Sequence, residues 1–496
     1  MSDTYRYGER DAEPAEAERL SGRVLAAVIA AGLTTFAGIV VETSINITFP
    51  TLMAEFAVST EVVQWMTTGY LLVVATMVPL SSVLVRRFTT RSLFVTAVML
   101  FAVGVVMNAV APSYAVLLAG RLVQGAGTGI ALPLMFNIIL HSVPSARLGM
   151  MMGVGTAITA VGPAVGPTFG GVVVSVAGWR WIFWILLPVL LVSLLLGLWA
   201  IRQGRPTERV SIDVWSVVTL AGTFTALIYG LNQAASEGWA SWQTLGPVMV
   251  GLIAGAMFVL RSRRIAQPLI RLDVLNSTGF RWAVTALFLL QFITLGLSYL
   301  LPNQIQDVLG FTALVAGLLV LPGACVGAIM SPLGGRLLDK FGPTPPVAAG
   351  YLAALIALVA FAVVSRSMGA VVIIGTYLVY MLGNGLVAGN TLTLGVRATV
   401  SDLSTDANAA LNTVQQAAGA FGTAIVTTIV ATSQGALTAS DGHAYVEATR
   451  TGTWYAYITL AICGILALAS AIGMLRASHH PVAQATEGDS SGSPTT

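Results

Sequence analysis

Residues 24–49 form an apolar run broken by few polar positions, and blocks of the same kind recur to the end of the chain. A helix needs about 20 apolar residues to cross roughly 30 Å of hydrocarbon. Fourteen blocks reach that length: 24–49, 62–85, 92–112, 114–138, 149–174, 181–201, 213–231, 243–260, 281–301, 312–332, 346–364, 369–395, 408–432 and 453–475. Polar residues gather in the short links between them. The pattern predicts fourteen membrane-spanning helices and leaves no link long enough for a separate soluble domain; the longest, 433–452, suits a short outer loop.

The charge pattern tests this count, because Lys and Arg in short loops stay on the cytoplasmic side. With the N-terminus inside, 20 of the 24 Lys and Arg fall on cytoplasmic segments, leaving Arg180, Arg366 and Arg450 outside and Arg121 within a span. One miscounted helix would break the alternation for every later loop, so both termini are expected in the cytoplasm. Only 9% of the 496 residues are charged and mean hydropathy is +0.84, whereas soluble domains carry about 25% charged residues. The net charge of +3 reflects cytoplasmic loops and calls for no nucleic-acid partner. Cys325 and Cys463 lie in apolar spans and read as small buried hydrophobes. The tryptophans of GWRWIFW (178–184) and EGWASW (237–242) fall where an aromatic belt would place them. No signal peptide is visible, and the tails, 1–22 and 477–496, read as disordered.

Internal repetition organises the spans. PLSSVLVRRFTTR (79–91) and PLGGRLLDKFGPT (332–344) match at Pro79/Pro332, Leu80/Leu333, Leu84/Leu337 and Phe88/Phe341, and each stretch joins the second and third span of its set. Pro50 ends the first span as Pro302 ends the ninth. The expected fold is an all-α integral membrane protein with a six-helix bundle over 23–202, two inserted transmembrane helices over 210–262 and a second six-helix bundle over 278–476. Transporters are commonly built from such repeats around a site near the bilayer midplane.

Glu42, in VVETSINITFP, is the acidic residue inside a span. A charge at membrane depth costs at least a few kcal/mol, so it needs a partner, water or a proton. Burial disfavours the ionised carboxyl, and such a glutamate can hold a proton in one conformation and release it when water arrives. Asn46 one turn on, Gly38 one turn back and Phe49 two turns on would form one wall of a polar cavity. A glutamate that bonds a neighbouring helix or snorkels outward is the competing reading. Arg121, in LLAGRLVQGAGTG, is the intramembrane cation at similar depth, with Gln124, Gly125 and Thr128 spaced to orient it; a permanent ion pair is its alternative. Gly162, Gly166 and Gly170 form a small-residue stripe that lets backbones approach in lipid, while Pro163 and Pro167 permit a bend. A sliding surface and a static interface both fit that stripe. Asn137, Gln291, Tyr299 and Asn384 are candidate cavity residues. No metal spacing, phosphate-binding GxxxxGK[ST] loop or catalytic constellation is present, which leaves an ion gradient as the energy source, with no cofactor and no enzymatic activity.

GRLVQGAGTG (120–129) resembles the fourth-span motif of the major facilitator superfamily, and the likeness extends over residues 22–476, within the fourteen-span drug/proton antiporters. The resemblance implies proton handling at Arg121, with Glu42 standing where that branch usually has aspartate. AVGPAVGPTFGG (160–171) is similar to the fifth-span motif of exporters, which carries to Gly162, Pro163, Gly166, Pro167, Gly170 and Gly171. GGRLLDKFG (334–342) matches the superfamily's second-to-third-span loop. In the first-half copy Ser82, Arg86 and Thr89 replace glycine, aspartate and glycine, leaving Arg87 and Arg91. The implied cytoplasmic gate is Arg87, Arg91, Asp339 and Lys340, and the first-half latch departs from the pattern. RRFTTR is similar to a branch that includes lincomycin-resistance-type exporters. The implied function is proton-coupled export of amphipathic drugs or toxic organic compounds across the cytoplasmic membrane by a monomer. Export of one endogenous metabolite, or a non-transporting membrane receptor, are the alternatives.

Overall fold

The computed structural model describes residues 21–478 except 204–206, 208–209, 212, 266, 367–368, 436 and 438–440, and except the side chains of 60, 61, 164, 167, 232, 235, 236, 313 and 314. The tails expected to be disordered fall almost wholly outside these residues. In the first half, α1 (Gly22–Ser44) passes through a 3-10 turn (Ile45–Thr48) into α2 (Phe49–Phe56). Then come α3 (Thr60–Arg87), α4 (Thr90–Ala109), α5 (Tyr114–Ser142), α6 (Leu148–Ala177) and α7 (Arg180–Ala200). Two inserted helices follow, α8 (Val214–Glu237) and α9 (Trp242–Ser262). The second half holds α10 (Thr278–Asn303), a π turn (Gln304–Val308), α11 (Ala313–Phe341), α12 (Thr344–Val364), α13 (Ala370–Arg397), α14 (Ser404–Gln434) and α15 (His443–Ser478). No strand occurs among the described residues. Thirteen helices are long and apolar enough to cross a membrane; α6, bent by 47° between Ser145–Pro163 and Thr168–Ala177, is a fourteenth when counted as one span.

Local chemistry sets the boundaries. Ser59, Thr89, Asp213, Ser241, Ser277 and Thr312 each precede a long helix and accept an amide hydrogen from its first turn, satisfying donors that have no intrahelical partner. Pro50 does not end the first span. It occupies the first turn of α2, where its missing N–H costs nothing, and the chain stays helical to Phe56. Pro302 likewise lies inside α10, which then loosens into the π turn, so both halves distort at the matching place. The long outer loop is shorter than expected: α15 begins at His443, and its first turns are tied to α14 by Gln434, which donates to Thr449 Oγ1 (2.9 Å) and the Tyr445 hydroxyl (3.2 Å).

All helices of one polarity end where Arg86, Arg147, Arg261, Arg336 and Arg397 lie, which will be called the arginine-rich end. There the apolar core of the first half runs on into Phe280, Leu287, Leu392, Val396 and Leu411 of the second. Around Phe292, Leu300, Tyr377 and Tyr457, towards the far end, the second half keeps a separate core. α6 crosses to α11 and α13, and α3 to α14. Glycines make the crossing close: Gly149 lies against Gly335, and Gly153 against Ser331, Pro332 and Gly389. Two sequence expectations about surface residues change. Trp179 is buried, its Nε1 donating to Glu55 Oε2 (2.7 Å), while Trp181 and Trp242 stay exposed in the manner of a belt. Cys325 is exposed on α11, and both cysteines are free thiols.

The inserted α8 packs on α3 and α14 as well as on α9. A bidentate pair closes its base, Arg261 Nε and Nη2 donating to Asp213 Oδ2 (2.6 Å) and Oδ1 (2.7 Å). Hydrogen bonding from Arg261, aided by Ser216, holds the Asp213 carboxyl well below the ordinary carboxylate range. A depressed carboxyl contributes stability above its unfolded pKa and loses it only as pH falls through the lower native value. Asp213→Asn should therefore destabilise the protein by about 1 kcal/mol at neutral pH, a value reduced by the exposure of Arg261. Thermal unfolding of the two proteins should differ at pH 7 and converge in strong acid.

Candidate functional site

Arg121 lies wholly inside the first half, on α5. Its guanidinium stacks 4.2 Å above the ring of Tyr70 on α3. Nε donates to the Met66 carbonyl oxygen (3.2 Å) and Nη1 to Gln124 Oε1 (3.1 Å), which also accepts from Asn108 Nδ2 on α4 (2.7 Å). Nη2 has no hydrogen-bond partner among the described residues, nor do Gln124 Nε2 and Asn108 Oδ1. The Tyr70 hydroxyl donates to the Gly38 carbonyl oxygen on α1 (3.1 Å) and shares a hydrogen bond with Thr128 (2.9 Å). Four helices thus converge on one cation, whose charge is held by dipoles and a ring face.

Glu42 sits one turn beyond Gly38 on α1, within electrostatic reach of Arg121 and Tyr70. It forms no ion pair among the described residues and is only partly covered. Asn46, the next residue on that face, is exposed and accepts from Thr67 Oγ1 (2.6 Å). The arrangement places a partly covered carboxyl with no ion pair beside an enclosed, incompletely bonded guanidinium.

The glycine stripe of α6 positions this carboxyl. Gly162 packs on Ile39, Gly166 on Val40 and Thr43, and Gly170 on Ser44 of α1, and Ser44 Oγ donates to the Gly166 carbonyl oxygen (2.7 Å). A Cβ at Gly166 would stand 1.8 Å from Thr43 Oγ1. Pro163 lies at the bend of α6, and the side chain of Pro167 is outside the described residues. The stripe is therefore an interface inside the first half, against the helix bearing Glu42. The crossing to the second half is made lower on the same helix, by Gly149 and Gly153, which the spacing GMMMG could have signalled.

The other candidate residues scatter. Gln291 and Tyr299 on α10 are partly exposed. Asn384 on α13 is buried and accepts from Thr294 Oγ1 (3.3 Å), itself 2.8 Å from the Tyr380 hydroxyl. Asn137 lies sixteen residues past Arg121 on α5, about 24 Å along the helix axis. It lines a small pocket of about 30 Å³ with His141 and Arg202 at the arginine-rich end and is not brought to Glu42.

At that end Asp339 reaches from α11 to the start of α6, accepting from Gly149 N (2.9 Å) and Met150 N (2.8 Å), with Arg397 Nη2 at 3.7 Å. Arg87 donates to the Val210 carbonyl oxygen on the link entering the insert (3.2 Å). Arg91 and Lys340 are exposed, Lys340 Nζ lying 5.1 Å from the ring of Phe341. Sequence reasoning missed Tyr70, Asn108, Arg271 and Asp406. Asp406 was placed in a link, yet it lies in the first turn of α14 and is fully buried. Among the described residues no group of His, Cys, Asp or Glu is placed to hold a metal.

Two helical halves joined at one end, with a charged cluster between the helices of the first, define a multi-pass membrane transporter. The chain belongs to the Major Facilitator Superfamily, whose model matches residues 31–423. Lincomycin resistance protein LmrB of Bacillus subtilis is 35% identical over 461 residues, covering 92% of this chain and 96% of that protein. LmrB of Listeria innocua is 36% identical over 83% of this chain and 87% of its own. A multidrug resistance protein B homolog of Mycobacterium tuberculosis is 31% identical over 78% and 73%. The solved human organic anion transporter MFSD10 (TETRAN) shares the fold, with a TM-score of 0.63 over 91% of this chain and 100% of that one at 15% identity.

Filling the α1–α6 seam should move the carboxyl. Gly166→Val is expected to destabilise the protein by about 1–3 kcal/mol through overpacking, read as a lower unfolding temperature in detergent. Gly171→Val, whose Cβ meets only a side-chain methyl at 3.9 Å, should leave that temperature nearly unchanged.

Proposed function

We propose that the protein is a proton-coupled antiporter that exports amphipathic organic compounds across the cytoplasmic membrane, with its arginine-rich end in the cytoplasm. The observation that carries this reading is the unpaired, partly exposed Glu42 beside the enclosed Arg121 cluster. The halves meet at the arginine-rich end, so in this conformation Glu42 faces the compartment beyond the far end. It takes a proton there, the halves rock, and the proton leaves on the other side, where cargo competes for the same cavity. Closing the far end changes the water around Glu42 and its distance from Nη2 of Arg121, and this alters its proton affinity between the two states. Energy suffices: a 100 mV potential contributes about 2.3 kcal/mol per charge and one pH unit about 1.4 kcal/mol per proton. Relatives named for lincomycin and multidrug resistance support an amphipathic cargo.

The test is efflux of ethidium and of lincomycin from energised cells expressing the protein, with a protonophore control. Wild type should show protonophore-sensitive efflux. Glu42→Gln, which keeps shape and removes titration, should lower it by roughly tenfold or more while purifying as a folded species. Undiminished proton-driven efflux in Glu42→Gln removes Glu42 from the mechanism. Efflux of neither compound by wild type overturns the broad-cargo reading in favour of one specific substrate.

A further inference from the structure

Arg86 and Asp339 occupy the same position in the two copies of the repeat, at the offset that relates Pro79 to Pro332 and Phe88 to Phe341. Asp339 delivers its carboxylate across the molecular middle to the first turn of α6, where two backbone amides receive it. In the repeat, α6 corresponds to α14. Arg86 points at the first turn of α14, and the charge waiting there is Asp406, with Nη2 3.9 Å from Oδ1. We infer that Arg86 and Asp406 form a second latch between the halves, built with the charges exchanged, and that the insert's exit link is part of it.

The chemistry of each side accounts for the exchange. The first turn of a helix favours negative charge, because its amides are unpaired and its dipole is positive there. On α6 that charge is absent from the helix itself and comes from the other half. On α14 the helix supplies its own, Asp406, so the opposing half must supply a cation; a carboxylate at position 86 would face a buried like charge. The inversion is thus self-consistent, and the arginine in the first-half copy keeps the contact that its loss of aspartate would otherwise abolish.

The exit link completes the latch. Arg271, between α9 and α10, donates its backbone N–H to Asp406 Oδ1 (3.2 Å) and places Nε 3.5 Å from Oδ2, while its Nη2 donates to the Asp402 carbonyl oxygen (2.9 Å). Arg86 donates to the Pro268 carbonyl oxygen (3.2 Å), and Ser82 donates to that of Leu269. Residues 268–271 therefore lie as a strap over the end of α3 and bring a second cation to Asp406. Asp406 is fully buried, yet Oδ2, Arg86 Nε and Arg271 Nε have no hydrogen-bond partner. The contact is held by charge at 3.5–3.9 Å more than by directed bonds, which suits a contact made and broken in every cycle. Residues 86, 271 and 406 position the halves and touch no cargo.

This inference rests on alternating access, but its test reads distance and needs no cargo. In a Cys325→Ser/Cys463→Ser background, spin labels at Ser92→Cys on α4 and Arg336→Cys on α11, both exposed near the arginine-rich end, report the separation of the halves in liposomes. Asp406→Asn and Arg86→Asp should each shift the ratio of short to long distances towards long by roughly tenfold, which is about 1.4 kcal/mol. The exchange variant Arg86→Asp/Asp406→Arg restores the Arg86 pair but sets a cation beside Arg271 at a helix N-terminus, so it should return the ratio only part of the way, to a value clearly better than that of Arg86→Asp. Should Arg86→Asp fail to fold, Arg86→Gln replaces it, and combining it with Asp406→Asn should add little to either single shift, as a shared contact requires. An unchanged ratio in Asp406→Asn, an exchange variant no better than Arg86→Asp, or additive shifts in the neutral pair overturn the latch. Loss of efflux with normal closing and opening would instead count against the transport reading alone.

Discussion

A charged side chain inside a bilayer has no bulk water to fall back on, so a guanidinium or carboxylate there needs protein groups, enclosed water or a proton to meet it. This constraint organises the first half. Arg121 is admitted only because α1, α3, α4 and α5 all send something to it: the ring of Tyr70, the Met66 carbonyl, the Gln124 amide held by Asn108, and Gly38 behind Tyr70. These partners surround the cation without neutralising it. The net charge remains, and a carboxyl one turn from Gly38 feels it across a short gap. The cluster is thus a fixed positive field near an unpaired carboxyl.

Close packing fixes where that field acts. With no hydrophobic drive between helices in lipid, small residues and backbone approach hold helices together. α6 uses glycine twice, for different purposes. Near its far end Gly162, Gly166 and Gly170 seat α1, setting the height of Glu42, and near its start Gly149 and Gly153 touch α11 and α13 across the molecular middle. One bent helix therefore links the closure at the arginine-rich end to the position of the carboxyl. Both seams thus lie on one helix, that against α1 at the bend by Pro163 and the other before it.

Much of this was legible in the sequence because the bilayer imposes simple rules. A bundle of long apolar helices followed from apolar length, the paired halves from PLSSVLVRRF and PLGGRLLDKF, and the need to enclose Arg121 from its cost at membrane depth. Facing was harder. Asn137 is as polar as Asn384, but its position along α5 places it at the other end of the bundle, and only helix register reveals this. Nothing local to α3 announces that Arg121 lies above the ring of Tyr70. Trp179 resembled its neighbours in a belt but turned inward to Glu55, a long-range contact. Asp406 was read as loop because ATVSDLSTD is polar; the helix nevertheless begins at Ser404, and burial makes that aspartate a charge needing partners.

The inserted helices gain a role from the same accounting. Two apolar helices could simply lie in lipid beside the bundle, and α9 faces outward along much of its length. Their links are another matter. The entering link gives the Val210 carbonyl to Arg87, and the leaving link gives those of Pro268 and Leu269 to Arg86 and Ser82. A chain passing directly from α7 to α10 would have to span the interface between halves with one linker, free to follow either. Anchoring that passage through α8 and α9, with Asp213 and Arg261 clamping their base, holds residues 268–271 against α3 while Arg271 reaches Asp406 on α14. The link is thereby fixed to the first half and joined to the second chiefly through Arg271, which pairs with Asp406 and donates to the Asp402 carbonyl oxygen.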